Sequence, residues 1–114
     1  MWDITTTGVT AALDGLAARQ DVRAHNVANA ETPGFRAQHV NFEDSLRDAL
    51  RRGAPQRTEA TTVASPTIVN ANGNSVDLET ELVGNMKDGL QANAMVEAFN
   101  FKTGNLRMAI RGMR

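Results

Sequence analysis

Residues 25–37 read HNVANAETPGFRA, and they put two asparagines, a Thr-Pro-Gly triplet and an aromatic at the end of a helix-like pattern. Upstream, Val9, Leu13, Leu16, Gln20, Ala24 and Val27 recur at steps of three and four, which places them on one helical face. The spacing predicts a helix over 7–29. Thr6 or Thr7 would cap its start, and Asn29 would close it in the left-handed conformation that Asn tolerates. Pro33 and Gly34 suit the two central positions of a type II turn, in which Gly takes a positive φ, while the proline pushes Thr32 into an extended conformation. The chain therefore reverses here. Phe35 is then free to lay its ring on the helix end or on a neighbouring subunit, and the Asn side chains can satisfy the last helical carbonyls. On this reading Gly34→Val harms the protein more than Ala37→Val, because only Gly34 needs a positive φ.

A reversed chain needs a second long element to return along, and the C-terminal third supplies one. Leu82, Gly89, Val96, Thr103 and Ile110 recur every seven residues, with Ala92, Phe99, Leu106 and Met113 at the other seam position of the same heptad. Asp77 is a candidate N-cap, Glu79 and Glu81 suit the positive end of the helix dipole, and Arg107, Arg111 and Arg114 suit its negative end. A helix over 77–112 would be about 50 Å long against roughly 35 Å for the first, so part of its seam lacks a partner within the chain. Between them, NFEDSLRDALRRG reads as a short helix with Asn41 as N-cap and Gly53 as stop. The Thr-, Ala- and Asn-rich stretch over 53–74 reads as a mobile loop with short extended runs at 61–64 and 67–70. The expected fold is mainly α: N- and C-terminal long helices paired as a helical hairpin or coiled coil, with a short helix and irregular loop between. It is one module over 1–114, divided into 7–29, 30–76 and 77–114.

Chemistry is sparse in these 114 residues. There is no cysteine, so thiolate catalysis and Cys-based zinc sites are excluded. His25 and His39 could meet Glu31 or Asp44 at a metal, but no recognised ligand spacing is present. The acids pair with arginines at helical spacing and read as a solvated face. Gly34 stands alone, without the repeated glycines of a phosphate loop. Arg47, Arg51, Arg52 and Arg57 lack interleaved aromatics in a chain of net charge -1, which argues against nucleic acid. The N-terminus carries no basic and apolar leader, and no run of about 18 apolar residues occurs. No catalytic, cofactor or metal residue is assigned, no cofactor is expected, and no small-molecule substrate is implied. Seventeen of the apolar residues are alanines, so the core is small and a partner surface would help the chain order.

Taken together, AHNVANAETPGFRAQHVNF and NGNSVDLETEL resemble the rod and hook family of bacterial flagellar axial proteins. In that family an Asn-x-Ala-Asn-x-x-Thr-Pro-Gly-aromatic motif closes the N-terminal helix, and Asn26, Ala28, Asn29, Thr32, Pro33, Gly34 and Phe35 match it. Within the family, the short length, the VNFEDSLRDAL helix and the ending FNFKTGNLRMAIRGMR look most like a proximal rod subunit. The resemblance implies a structural role without enzymatic activity, in the basal-body rod that spans the periplasm as a drive shaft. It implies helical assembly through the terminal helices, with Leu13, Leu16, Leu82, Val96, Phe99, Leu106, Ile110 and Met113 as the packing seam. The implied partners are the chain itself and other rod proteins, the membrane-ring base with its adaptor FliE, and the flagellar type III export apparatus. A small soluble coiled-coil adaptor or export chaperone is the rival reading; it accounts for the helices but not for the turn motif.

Overall fold

The computed structural model describes residues 3–112, apart from the side chains of 105–110. Helix α1 spans Ile4–Ala28. It starts earlier than expected because Asp3, rather than Thr6 or Thr7, is the cap: its carboxylate accepts from the Thr6 N–H at 2.8 Å. The Thr7 hydroxyl instead donates to the Asp3 carbonyl. At the other end Asn29 has φ -108° and ψ 19°, so the expected left-handed closure does not occur. The Asn29 side chain donates to the His25 carbonyl at 2.9 Å, and the positive φ is deferred to Gly34, at 76°.

After the turn, strand β1 (Gln38–Asn41) leads into helix α2 (Glu43–Arg51), a 3-10 turn at Pro55–Arg57 and strand β2 (Thr61–Ala64). The strands pair antiparallel, from Gln38 opposite Ala64 to Asn41 opposite Thr61. β2 coincides with the expected run at 61–64, but residues 67–70 form no strand. There the chain leaves the ladder after Ser65, whose N–H reaches the Ala37 carbonyl, and enters a turn in which Gly73 N–H bonds Asn70 O. β1 has no counterpart in the sequence reading. Because Asn41 belongs to that strand, it does not cap α2; Phe42 occupies the cap position without a side-chain bond.

Helix α3 (Leu78–Gly112) returns antiparallel to α1. Asn26 meets Glu81 near one end of the pair, and Lys102 meets Asp3 at the other. Beyond Lys102 the helix continues by about 15 Å at the usual helical rise. The whole measures 68 × 26 × 15 Å. Its apolar core is small: Leu16, Val40 and Phe42, with Val22, Leu46, Ala92 and Met95 packed around them. Gly15 is part of this arrangement, since a Cβ there would lie 2.5 Å from the Phe42 ring.

Candidate assembly interface

The Thr-Pro-Gly turn is bound into a clasp with the segment just before α3. Phe35 N–H bonds Thr32 O, so Pro33 and Gly34 take the central positions of a β-turn, and the positive φ of Gly34 makes it type II. Gly34 N–H then donates to the Asn72 carbonyl at 2.9 Å. The two turns abut at glycines: Gly73 also has positive φ, and a Cβ on it would lie 3.1 Å from the Gly34 Cα. Asn74 is buried and saturates the junction. Its amide donates to Asn29 O and Thr32 O, both at 2.8 Å, and its side-chain oxygen accepts from Val76 N–H at 2.8 Å. Ser75 Oγ accepts from Ala37 N–H, and Ser75 N–H donates to Phe35 O. Phe35 folds back toward the helix end, its ring centroid 5.8 Å from that of His25.

Asn26 does something other than close its own helix. It is 1% exposed; its amide donates to Gln38 O at 2.7 Å and to Glu81 Oε1 at 2.9 Å, while its oxygen accepts from Gln38 N–H at 3.1 Å. One side chain thus joins α1, β1 and α3. Of the remaining motif positions, Ala28 and Thr32 are exposed, and the Thr32 hydroxyl donates to Asn29 Oδ1. Ala37, expected to be a tolerant position, is 1% exposed. A valine there overpacks the clasp, so it is no benign contrast to Gly34.

Between α1 and α3 the seam is ionic where an apolar heptad was expected. Asp88 accepts from Arg19 Nη1 at 3.3 Å and from Arg23 Nε at 3.1 Å; Arg23 Nη1 lies 3.4 Å from Glu81 Oε2. Arg19 also donates to the Val40 carbonyl at 2.9 Å and to Glu43 Oε2 at 2.8 Å, with its guanidinium 4.8 Å above the Phe42 ring centroid. Apart from Glu43, which is half exposed, these groups are largely shielded rather than a solvated face, and among the described residues no buried side-chain polar atom lacks a partner. Glu81, expected to serve only the helix dipole, is 5% exposed and held by Asn26 and Arg23.

The inward face of α3 is therefore Glu81, Asp88 and Met95, together with Ala92 and Phe99. Leu82, Gly89 and Val96 each follow one of the first three by a single residue, about 100° farther round the helix. The heptad was correct in period and in its Ala92 and Phe99 position, while the position of Leu82, Gly89 and Val96 lies one residue past the inward row. Leu82 is 62% exposed and Val96 42%, whereas Leu16 is buried and Leu13 and Phe99 are half-buried. The side chains of Leu106 and Ile110, and all of Met113, lie outside the described residues.

The sequence profile of the family described as "Flagella basal body rod protein" matches residues 9–36, which cover most of α1 and the type II turn. The flagellar basal body rod protein FlgB of Aeromonas hydrophila is 29% identical over 111 residues, covering 82% of this chain and 83% of that protein. FlgB of Bacillus subtilis is 25% identical over 107 residues with the same coverage, and FlgB of Yersinia enterocolitica 30% identical over 91 residues, 61% of this chain and 66% of its own. The chain belongs to the flagellar basal-body rod protein family.

As a rod-family protein it is a structural subunit of the flagellar basal body, assembling with other rod and basal-body components, and not an enzyme. Sequence reasoning missed several residues that shape this rod-family fold: Arg19, Arg23, Asp88, Asn74 and Ser75. Arg19 and Arg23 are one helical turn apart, and Glu81 and Asp88 two turns apart, so opposite charges each repeated along one helical face were the available signal. His25 and His39 lie at the helix end and on β1; among the described residues no group of three or more His, Asp or Glu is placed to hold a metal.

Proposed function

We propose that this chain is a proximal-rod subunit of the FlgB type, which polymerises helically by burying the outward face of α3 against neighbouring subunits. One observation carries the reading: Leu78, Leu82, Met86, Leu90 and Phe101 are 55%, 62%, 62%, 71% and 72% exposed on a single helix. A run of large apolar side chains on one element is a protein-contact surface, and a repeated contact between copies builds a helical assembly. The module spans 1–114. In this reading the turn motif aims α3 relative to α1, Leu13 and Leu16 serve packing within the subunit, and Leu82 and Val96 face its neighbours. Phe99 packs at the edge of both. The membrane-ring base, its adaptor FliE and the type III export apparatus are the finer partners this role entails.

Leu82→Asp combined with Val96→Asp should abolish rod assembly and swimming while the protein is still made and exported. Their side chains have little to lose within the subunit, so stability should change by about 0.5 kcal/mol or less. Normal basal-body yield would overturn the assignment of this face. Expression in strains lacking either FlgB or its sibling FlgC separates the two proximal identities: motility should return only in the former.

A further inference from the structure

Two faces of α3 compete to pack on α1. One carries Leu82, Gly89 and Val96; the other carries Glu81, Asp88 and Met95, one residue earlier in each heptad. Burial of apolar area favours the first, since each large side chain removed from water contributes on the order of 1.5 to 3 kcal/mol. The structure nevertheless turns the second inward. Desolvating two carboxylates is costly, and a buried ionic contact gains little stability over apolar packing of the same shape; what it can supply is a choice of register.

The ladder supplies that choice. Asp88 takes bonds from both Arg19 and Arg23, Arg23 reaches on to Glu81, and Asn26 holds the other Glu81 oxygen. Rotating α3 by one residue would carry both carboxylates away from their donors and leave two arginines facing apolar side chains. Gly84 fits the same arrangement: a Cβ there would lie 2.3 Å from the Arg23 guanidinium carbon, so the absence of a side chain is what seats the arginine against α3. We propose that Arg23 and Asp88, with Glu81 and Gly84, are positioning residues that select the rotational setting of α3 and so hold its apolar stripe outward. They act on which face is offered rather than on whether the hairpin forms. This inference rests on the outward stripe being the assembly face, but its test does not.

The chain has no native cysteine, so single cysteines report without background. Met95→Cys and Val96→Cys place thiols on adjacent residues of the inward and outward faces. In the otherwise native chain Cys at 96 should react with a maleimide about ten-fold faster than Cys at 95, following local exposure. Arg23→Leu with Asp88→Leu should retain the helical circular-dichroism signal and bring the ratio to one or invert it. Should that pair lose its helix, Asp88→Asn, which keeps the shape and part of the bonding, must still lower the ratio. An unchanged ratio in a helical variant, or equal rates in the native chain, overturns the proposal. Both readings concern the free chain and are separate from rod yield, so failure here leaves the assembly face itself intact, and failure of Leu82→Asp to block rods leaves the facing measurement intact.

Discussion

The clasp end of the molecule and the outer face of α3 treat their side chains in opposite ways. At the clasp, Asn26, Asn74, Ser75 and Ala37 are all at most 3% exposed, and each polar group meets a named partner. On the outer face, the large apolar groups of Leu78, Leu82, Met86, Leu90 and Phe101 stand more than half exposed. The first region uses its residues to define a geometry; the second withholds them for other molecules. A subunit built this way can lose outer-face residues without losing its fold, whereas loss of one clasp residue disturbs the direction in which α3 leaves.

The sharpest way to break that contrast is Asn26→Ala. Gln38 N–H, Gln38 O and the Glu81 carboxylate all lose a partner, at roughly 1 to 3 kcal/mol for each group left buried and unsatisfied. That is a large share of a stability of about 5 to 15 kcal/mol, so the thermal midpoint should fall steeply or the chain should not fold. Asn74→Ala should come close behind, because it strips Asn29 O, Thr32 O and Val76 N–H. A loss under 1 kcal/mol in chemical denaturation, for either, would mean water replaces the side chain and the clasp is not a determinant.

A milder contrast uses one substitution in both regions. Gly34→Ala meets nothing within 4 Å, so its whole cost is the positive φ, on the order of 1 to 2 kcal/mol. Gly89→Ala also meets open space but lies inside α3, where it should stabilise by about 0.5 to 1 kcal/mol. Denaturation midpoints should move in opposite directions. Movement in the same direction would remove the distinction between a conformationally constrained turn and an ordinary helix interior.

The smallest effect belongs to Asp3, at the far end from the clasp. Its carboxyl is held well below the ordinary 3.8, first by the Lys102 ammonium 2.9 Å away and then by the Thr6 N–H. A depressed value in the folded state means the contact stabilises above about 3.8 and is progressively lost as pH falls further toward that depressed value. Asp3→Asn keeps a cap but loses the charge pair. Its midpoint should lie slightly below that of the native chain at neutral pH, and the gap should close below about pH 4. A gap independent of pH would assign the effect to capping alone.

Much of this was legible in the amino-acid order. The type II turn at Pro33-Gly34, the Asp77 cap whose carboxylate accepts from Glu79 and Thr80 N–H, the stop of α2 before Gly53 and the length of α3 all follow from rules acting within about four residues. So did the seven-residue period on α3. The inward place of Glu81, Asp88 and Met95 in that period did not, because it depends on what α1 presents from 58 to 69 positions away, where Arg19 and Arg23 meet Asp88 and Glu81. Nor did the partners of Asn26 and Asn74, each of which could as well have capped its own neighbourhood. A local pattern determines whether a helix forms and where it ends. Which of its faces turns inward is set by the pairing of charges and amides brought together only when the chain has folded back on itself.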